Sequence, residues 1–210
     1  MESDVVIADP LQVVTLLDEL ELNFDRLVEV VRYAEGERAL CTKNDRKGFD
    51  LILMNDKAAR GLREMFCGDR WAPDETDNQA GIRNSHIKVR VIHCNFDKNA
   101  GNPDAEPTNL VGKGTASRAK VACNRTPWIP GLPIPEPSEG EYTTYVLGTY
   151  SDENSLRAEL SRPRSFVGGR YSRFEPRIIL LDGSEGAPIS GSKPADNGPT
   201  EIIDITIKRK

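Results

Sequence analysis

From Leu11 to Val31 the apolar residues Leu11, Val14, Leu17, Leu20, Leu22, Phe24, Leu27, Val28 and Val31 follow one another at spacings near three and four, with Leu40 beyond them. A strand cannot present that period; a helix with one apolar face does. Asp9 before Pro10 predicts an N-cap with proline at the first helical position. Leu22 and Asn23 interrupt the pattern, so two helices are expected, the second starting near Asp25. A further helix is predicted over 55–66, with Ala58, Ala59, Leu62, Met65 and Phe66 on its buried side and Gly68 at its end.

The period then changes. Ile87, Val89 and Val91 alternate with His86, Lys88 and Arg90, the two-residue repeat of a half-buried strand over 86–97. Strand character returns over 142–150, 177–181 and 202–207, and the short apolar run from Gly48 to Met54 is also expected as a strand. Trp71 to Gly81 reads as a surface loop, and Ser151 to Asn154 as the cap of a short helix reaching Leu160. Between Lys98 and Glu141 the chain is rich in Pro, Gly and Asn, with room for a helix over 115–123. The expected fold class is α+β: acidic N-terminal helices packed on a small, mainly antiparallel sheet, with long Pro/Gly-rich loops.

At 210 residues, one principal domain over 1–182 is expected, followed by a flexible linker over 183–200 and a C-terminal strand with a basic end over 201–210. Cys41, Cys67, Cys94 and Cys123 form no CxxC pair, which argues against a zinc ribbon or a thioredoxin-type centre. Reduced, mostly buried thiols are expected. Without an apolar run of ~20 residues or the basic and apolar regions of a secretory signal, the expectation is a cytoplasmic protein with no membrane partner.

The net charge of -5 is unevenly distributed. Residues 1–83 hold 11 basic and 18 acidic side chains, whereas 84–210 hold 17 and 15. Within the second part, 84–125 carries 7 basic against 3 acidic residues, and 157–177 carries 6 against 2. In the latter all six are arginines: Arg157, Arg162, Arg164, Arg170, Arg173 and Arg177, with Phe166, Tyr171 and Phe174 among them and Gly168 and Gly169 at the centre. Arginine grips phosphate through a planar fork and stacks on flat rings, so this composition points to a phosphate-bearing partner. The competing reading pairs these arginines internally with the acidic opening helices and puts the aromatics in the core.

Three further features carry candidate chemistry. Gly112, Lys113, Gly114, Thr115, Ala116, Ser117 and Arg118 could cradle an anion at a helix start, although the spacing is not that of a Walker A loop. His93, Asn95 and Asp97 fall on one side of the 86–97 strand; with Asp50 they offer a metal-dependent phosphodiesterase or nuclease centre, without the strand acid-x-lysine pattern many nucleases use. Cys94 lies on the opposite face from His93, which disfavours a Cys/His nucleophile. Finally, the isoleucine alternation in 201–210 suits strand addition to a protein partner across a linker with a reach of ~24 Å.

The leading expectation is a nonenzymatic, nucleic-acid-associated accessory protein without a cofactor. Arg162, Arg164, Arg170 and Arg173 would contact phosphates, helped by Lys113, Arg118 and Lys120. DNA and RNA are not distinguished by these residues.

Overall fold

The computed structural model describes residues 5–124, 126, 129–132 and 141–184. Asp9 caps α1 (Pro10–Glu19), its carboxylate accepting the Gln12 N–H at 3.0 Å. The chain breaks at Glu21 and Leu22, and Asn23 caps α2 (Phe24–Arg38) by accepting the Arg26 N–H at 3.0 Å. These caps satisfy amide groups that the first turn of a helix leaves unpaired.

α3 (Phe49–Phe66) starts earlier than the expected boundary at Asn55, because the run Gly48 to Met54, expected as a strand, forms its first turns. A continuous apolar run of that length fits a buried strand or a helix entry equally, and here the left-handed φ of 80° at Gly48 turns the chain directly into helix.

Seven strands make one mixed sheet in the order β1-β7-β6-β5-β4-β3-β2. They are β1 (Val6–Ile7), β2 (Trp71–Asp74), β3 (Gly81–Asn84), β4 (Val89–Asn95), β5 (Thr143–Ser151), β6 (Leu156–Val167) and β7 (Arg170–Asp182). β1 with β7 and β4 with β5 are parallel; the other pairs are antiparallel. The sheet is thus larger than the small sheet expected, and two parallel pairs stand among its four antiparallel ones. Trp71 to Asp74 is a strand rather than loop, at the sheet edge where Pro73 costs no ladder bond on its open side. The helix expected after Ser151 is instead β6. Asp152 accepts the Asn154 and Ser155 N–H groups, both at 2.9 Å, and so closes the β5–β6 turn rather than capping a helix.

β4 is buried on both faces, not one. Val89 and Val91 join Tyr145, Leu147 and Leu160 against α1, α2 and α3; Ile92, Cys94 and Phe96 join Val121, Tyr171 and Phe174 on the reverse. The parallel β4–β5 pair explains the second layer, because parallel neighbours require a crossover. That crossover holds α4 (Thr115–Ala122), which packs on β5 and β6. Gly148 on β5 makes the reverse packing possible: a Cβ there would lie 2.2 Å from the Phe96 ring. The cysteines are free thiols as expected, but only Cys94 is buried; Cys41, Cys67 and Cys123 are half-buried. No helix among the described residues is long and apolar enough to cross a membrane. Residues 201–210 and most of 183–200 lie outside the described residues, so the linker and terminal-strand expectations do too.

Candidate functional site

Beyond Ser161 the β6–β7 hairpin leaves β5 behind and continues as a two-stranded ribbon, paired Pro163 to Phe174, Ser165 to Ser172, Phe166 to Tyr171 and Val167 to Arg170. Its tip is Gly168-Gly169, with φ of 59° and 80°. Two consecutive left-handed residues match the strand twist and strongly favour glycine, so the pair serves the turn before any ligand.

The second basic segment meets this tip. The Lys113 N–H donates to the Gly169 carbonyl at 2.9 Å. Asn109, fully buried, donates from Nδ2 to the carbonyls of Val111 at 2.7 Å and Gly169 at 3.0 Å, and accepts the Tyr171 N–H at 2.8 Å. Its own carbonyl receives the Arg170 guanidinium. Glu106 accepts the Arg173 N–H, and Thr108 Oγ1 donates to the Tyr171 carbonyl. These side chains cover main-chain groups on the exposed edge of β7. Replacing Asn109 by alanine should lower unfolding stability by ~2 kcal/mol, since it strands buried main-chain groups. Urea unfolding followed by circular dichroism checks this; a loss below ~0.5 kcal/mol would mean the clamp is dispensable.

Of the seven basic residues expected to contact phosphate, three are engaged internally, three are exposed and Lys113 is half-buried. Arg162 is 1% exposed and donates to three carbonyls, those of Glu175, Asn124 and Thr126, at 2.8 to 3.3 Å. Burial depresses its pKa, with the neighbouring Arg164 charge adding to the effect. Lys120 is buried and donates to the Thr76 carbonyl and the Asp77 carboxylate. Arg164 is ion-paired with Glu175. These three side chains are engaged inside the protein.

Arg118 on α4, together with Arg170 and Arg173 on the ribbon, is exposed. No ion pair among the described residues uses any of the three. Lys113 is half-buried and reaches toward Cys94, whose thiol burial pushes up to about 11 against the pull of the Lys113 charge and hydrogen bond. Leu110, Val111 and Val167 stand exposed beside these cations, Val167 at 69%.

The internal pairing expected between the arginines and the opening helices takes a different form. Arg177 is paired with Glu159 and Arg164 with Glu175, both carboxylates from the hairpin itself. Phe174 and Tyr171 are core residues, and Phe166 packs edge-on against Tyr171 with ring centres 5.5 Å apart.

His93 and Asn95 face α3. Asn55 Oδ1 can only accept, so the His93 Nδ1–H donates to it at 3.1 Å, and Nε2 accepts the Thr149 hydroxyl at 2.8 Å. Burial, helped by the Lys113 charge, drops the His93 pKa to about 3. Asn95 donates to the Leu51 carbonyl at 2.9 Å. Asp97 instead accepts the Asn99 N–H at 3.1 Å, closing a turn, while Asp50 lies 3.9 Å from Arg38. The expected metal ligands are therefore engaged separately, and no cluster of three or more His, Cys, Asp or Glu suited to a metal occurs among the described residues.

Sequence reasoning missed Asn109 and Asn124. Asn124, also fully buried, donates to the Thr144 and Pro163 carbonyls and accepts the Thr144 N–H, bridging β5 and β6 where their direct pairing stops. Neither residue has a local signal, because their partners are distant in sequence. The chain matches no protein-family model, no curated protein and no solved structure.

Proposed function

We propose that this chain is a nonenzymatic accessory protein that docks nucleic acid by its phosphates on the face formed by the β6–β7 tip, the 109–114 loop and α4. The observation carrying this reading is the joining of the two basic segments through Lys113, Asn109 and Gly169. Segments separated in sequence thereby present Arg118, Arg170 and Arg173 from neighbouring elements of one scaffold, exposed and outside any ion pair of the described residues. Exposed arginines in such a group attract a polyanion even on a chain of net charge -5, because the field acts locally within a Debye length of ~10 Å at 0.1 M salt.

Arg162, Arg164 and Lys120 hold the scaffold together in this reading and contribute no direct phosphate contact. Fluorescence anisotropy with a labelled mixed-sequence DNA oligonucleotide at low salt tests it. The triple replacement Arg118→Ala, Arg170→Ala, Arg173→Ala should weaken binding by more than ~30-fold, since three phosphate contacts are lost. Arg60→Ala, which removes an exposed cation paired with Glu64 on α3, should leave affinity unchanged. Equal binding by the parent and the triple variant would refute the proposal.

A further inference from the structure

The aromatic residues on the reverse of the sheet bear on what form of nucleic acid this face would accept. Tyr171 and Phe174 are 2% and 0% exposed; the Phe174 ring packs on Phe96 at 5.7 Å between centres. Phe166 is held against Tyr171 and the same core. Every aromatic side chain among the described residues is buried or half-buried. Unpaired strands are commonly held by stacking successive bases on accessible rings, each stack worth ~1–3 kcal/mol. The described part of this face offers exposed arginines, of which Arg170 also donates to the Asn109 carbonyl, and aliphatic groups instead.

A site that works by charge alone favours the polyanion with the denser charge. A duplex carries one phosphate per ~1.7 Å of axis, and each neutralised phosphate releases ~0.9 counterion, against ~0.7 for an unpaired strand. For three contacts this difference amounts to roughly sixfold in affinity at ~50 mM salt. Arg170 and Arg173 are carried on a paired ribbon and Arg118 on a helix, so their backbone positions are set by the fold, as phosphate positions are set by a double helix.

We propose that the partner is a double helix gripped by its phosphate ridges rather than an unpaired strand. This rests on the reading of the preceding subsection and narrows it to a class of partner. Val167, Leu110 and Val111 project beside the cations, an arrangement that an anionic lipid surface would also use, so the experiment includes that surface.

The test measures binding of the full chain, at ~50 mM salt, to a mixed-sequence DNA duplex, an RNA duplex of the same sequence, each separated strand, and phosphatidylcholine vesicles carrying phosphatidylserine. The expected result is at least ~5-fold tighter binding to one or both duplexes than to either strand. That preference should disappear in the Arg118→Ala, Arg170→Ala, Arg173→Ala variant, with a retained cooperative melting transition showing that it folds. Whichever duplex binds tighter identifies DNA or RNA as the source of the double helix. Equal or tighter binding to separated strands would overturn the duplex inference while leaving the nucleic-acid reading intact. Binding to vesicles with none to any nucleic acid, or no binding at all, would overturn both.

Discussion

Glu159→Ala is expected to destabilise the fold by ~3–5 kcal/mol, the cost typical of removing one partner from a buried ion pair. Arg177 and Glu159 are 1% and 0% exposed, and the guanidinium meets the carboxylate twice, from Nε at 3.1 Å and from Nη2 at 2.7 Å. The rest of each group is satisfied by the 97–109 connection and by the Ser161 hydroxyl, which donates to Glu159 at 2.5 Å. Arg177 donates to the carbonyls of Ala105 at 2.8 Å and Asn102 at 2.9 Å, while Glu159 accepts the Gly101 N–H at 2.8 Å. Losing the carboxylate leaves a buried cation uncompensated and releases the connection that leads to the Asn109 clamp. Denaturant unfolding should record the loss, and a change below ~1 kcal/mol would show that the pair does not anchor this layer.

Acid sensitivity is the second large effect. The His93 imidazole, neutral between Asn55 and Thr149, has its pKa lowered to about 3 by burial, with the Lys113 charge adding to this. An unfolded histidine titrates near ~6.5, so below that pH the unfolded chain binds a proton that the folded chain refuses. The stability linked to His93 is therefore complete above ~6.5 and is lost as the pH falls toward the folded value, at ~1.4 kcal/mol per pH unit. Unfolding free energies measured from pH 7 to pH 4 should fall more steeply for the parent than for His93→Gln, by a difference on the order of 3 kcal/mol at the acid end. Parallel curves would contradict the assignment of a buried neutral imidazole.

Local signals with local partners were legible in the sequence. Asp9 with Pro10, and the interruption at Leu22 and Asn23, mark helix boundaries because an N-cap bonds amides two or three residues away. Ser151 to Asn154 carries the same kind of residues but closes a hairpin turn, since Asp152 serves either structure with equally short reach. The run from Gly48 to Met54 has no period to separate strand from helix entry. Trp71 to Asp74 hides its strand behind Pro73, which an edge position tolerates.

The candidate site was legible as a composition and not as an arrangement. Nothing near Arg162 distinguishes it from Arg173, yet one is enclosed by carbonyls from Asn124, Thr126 and Glu175 and the other is exposed. The difference lies in the turn just past α4 at Asn124, 38 residues away in sequence, for Arg162, and in the left-handed backbone at Arg173, whose φ is 53°. Alternation alone does not place a side chain once a strand departs from regular register.

The central claim, that Arg118, Arg170 and Arg173 form one phosphate-binding face, is tested most directly by the salt dependence of duplex binding. Three phosphate contacts predict a slope of log affinity against log salt near roughly -2.7, a weakening of about 40-fold between ~50 and ~200 mM. Each single alanine replacement at Arg118, Arg170 or Arg173 should reduce the magnitude of the slope by ~0.9. Binding whose salt dependence is flat, or is unchanged by all three replacements, would contradict the claim.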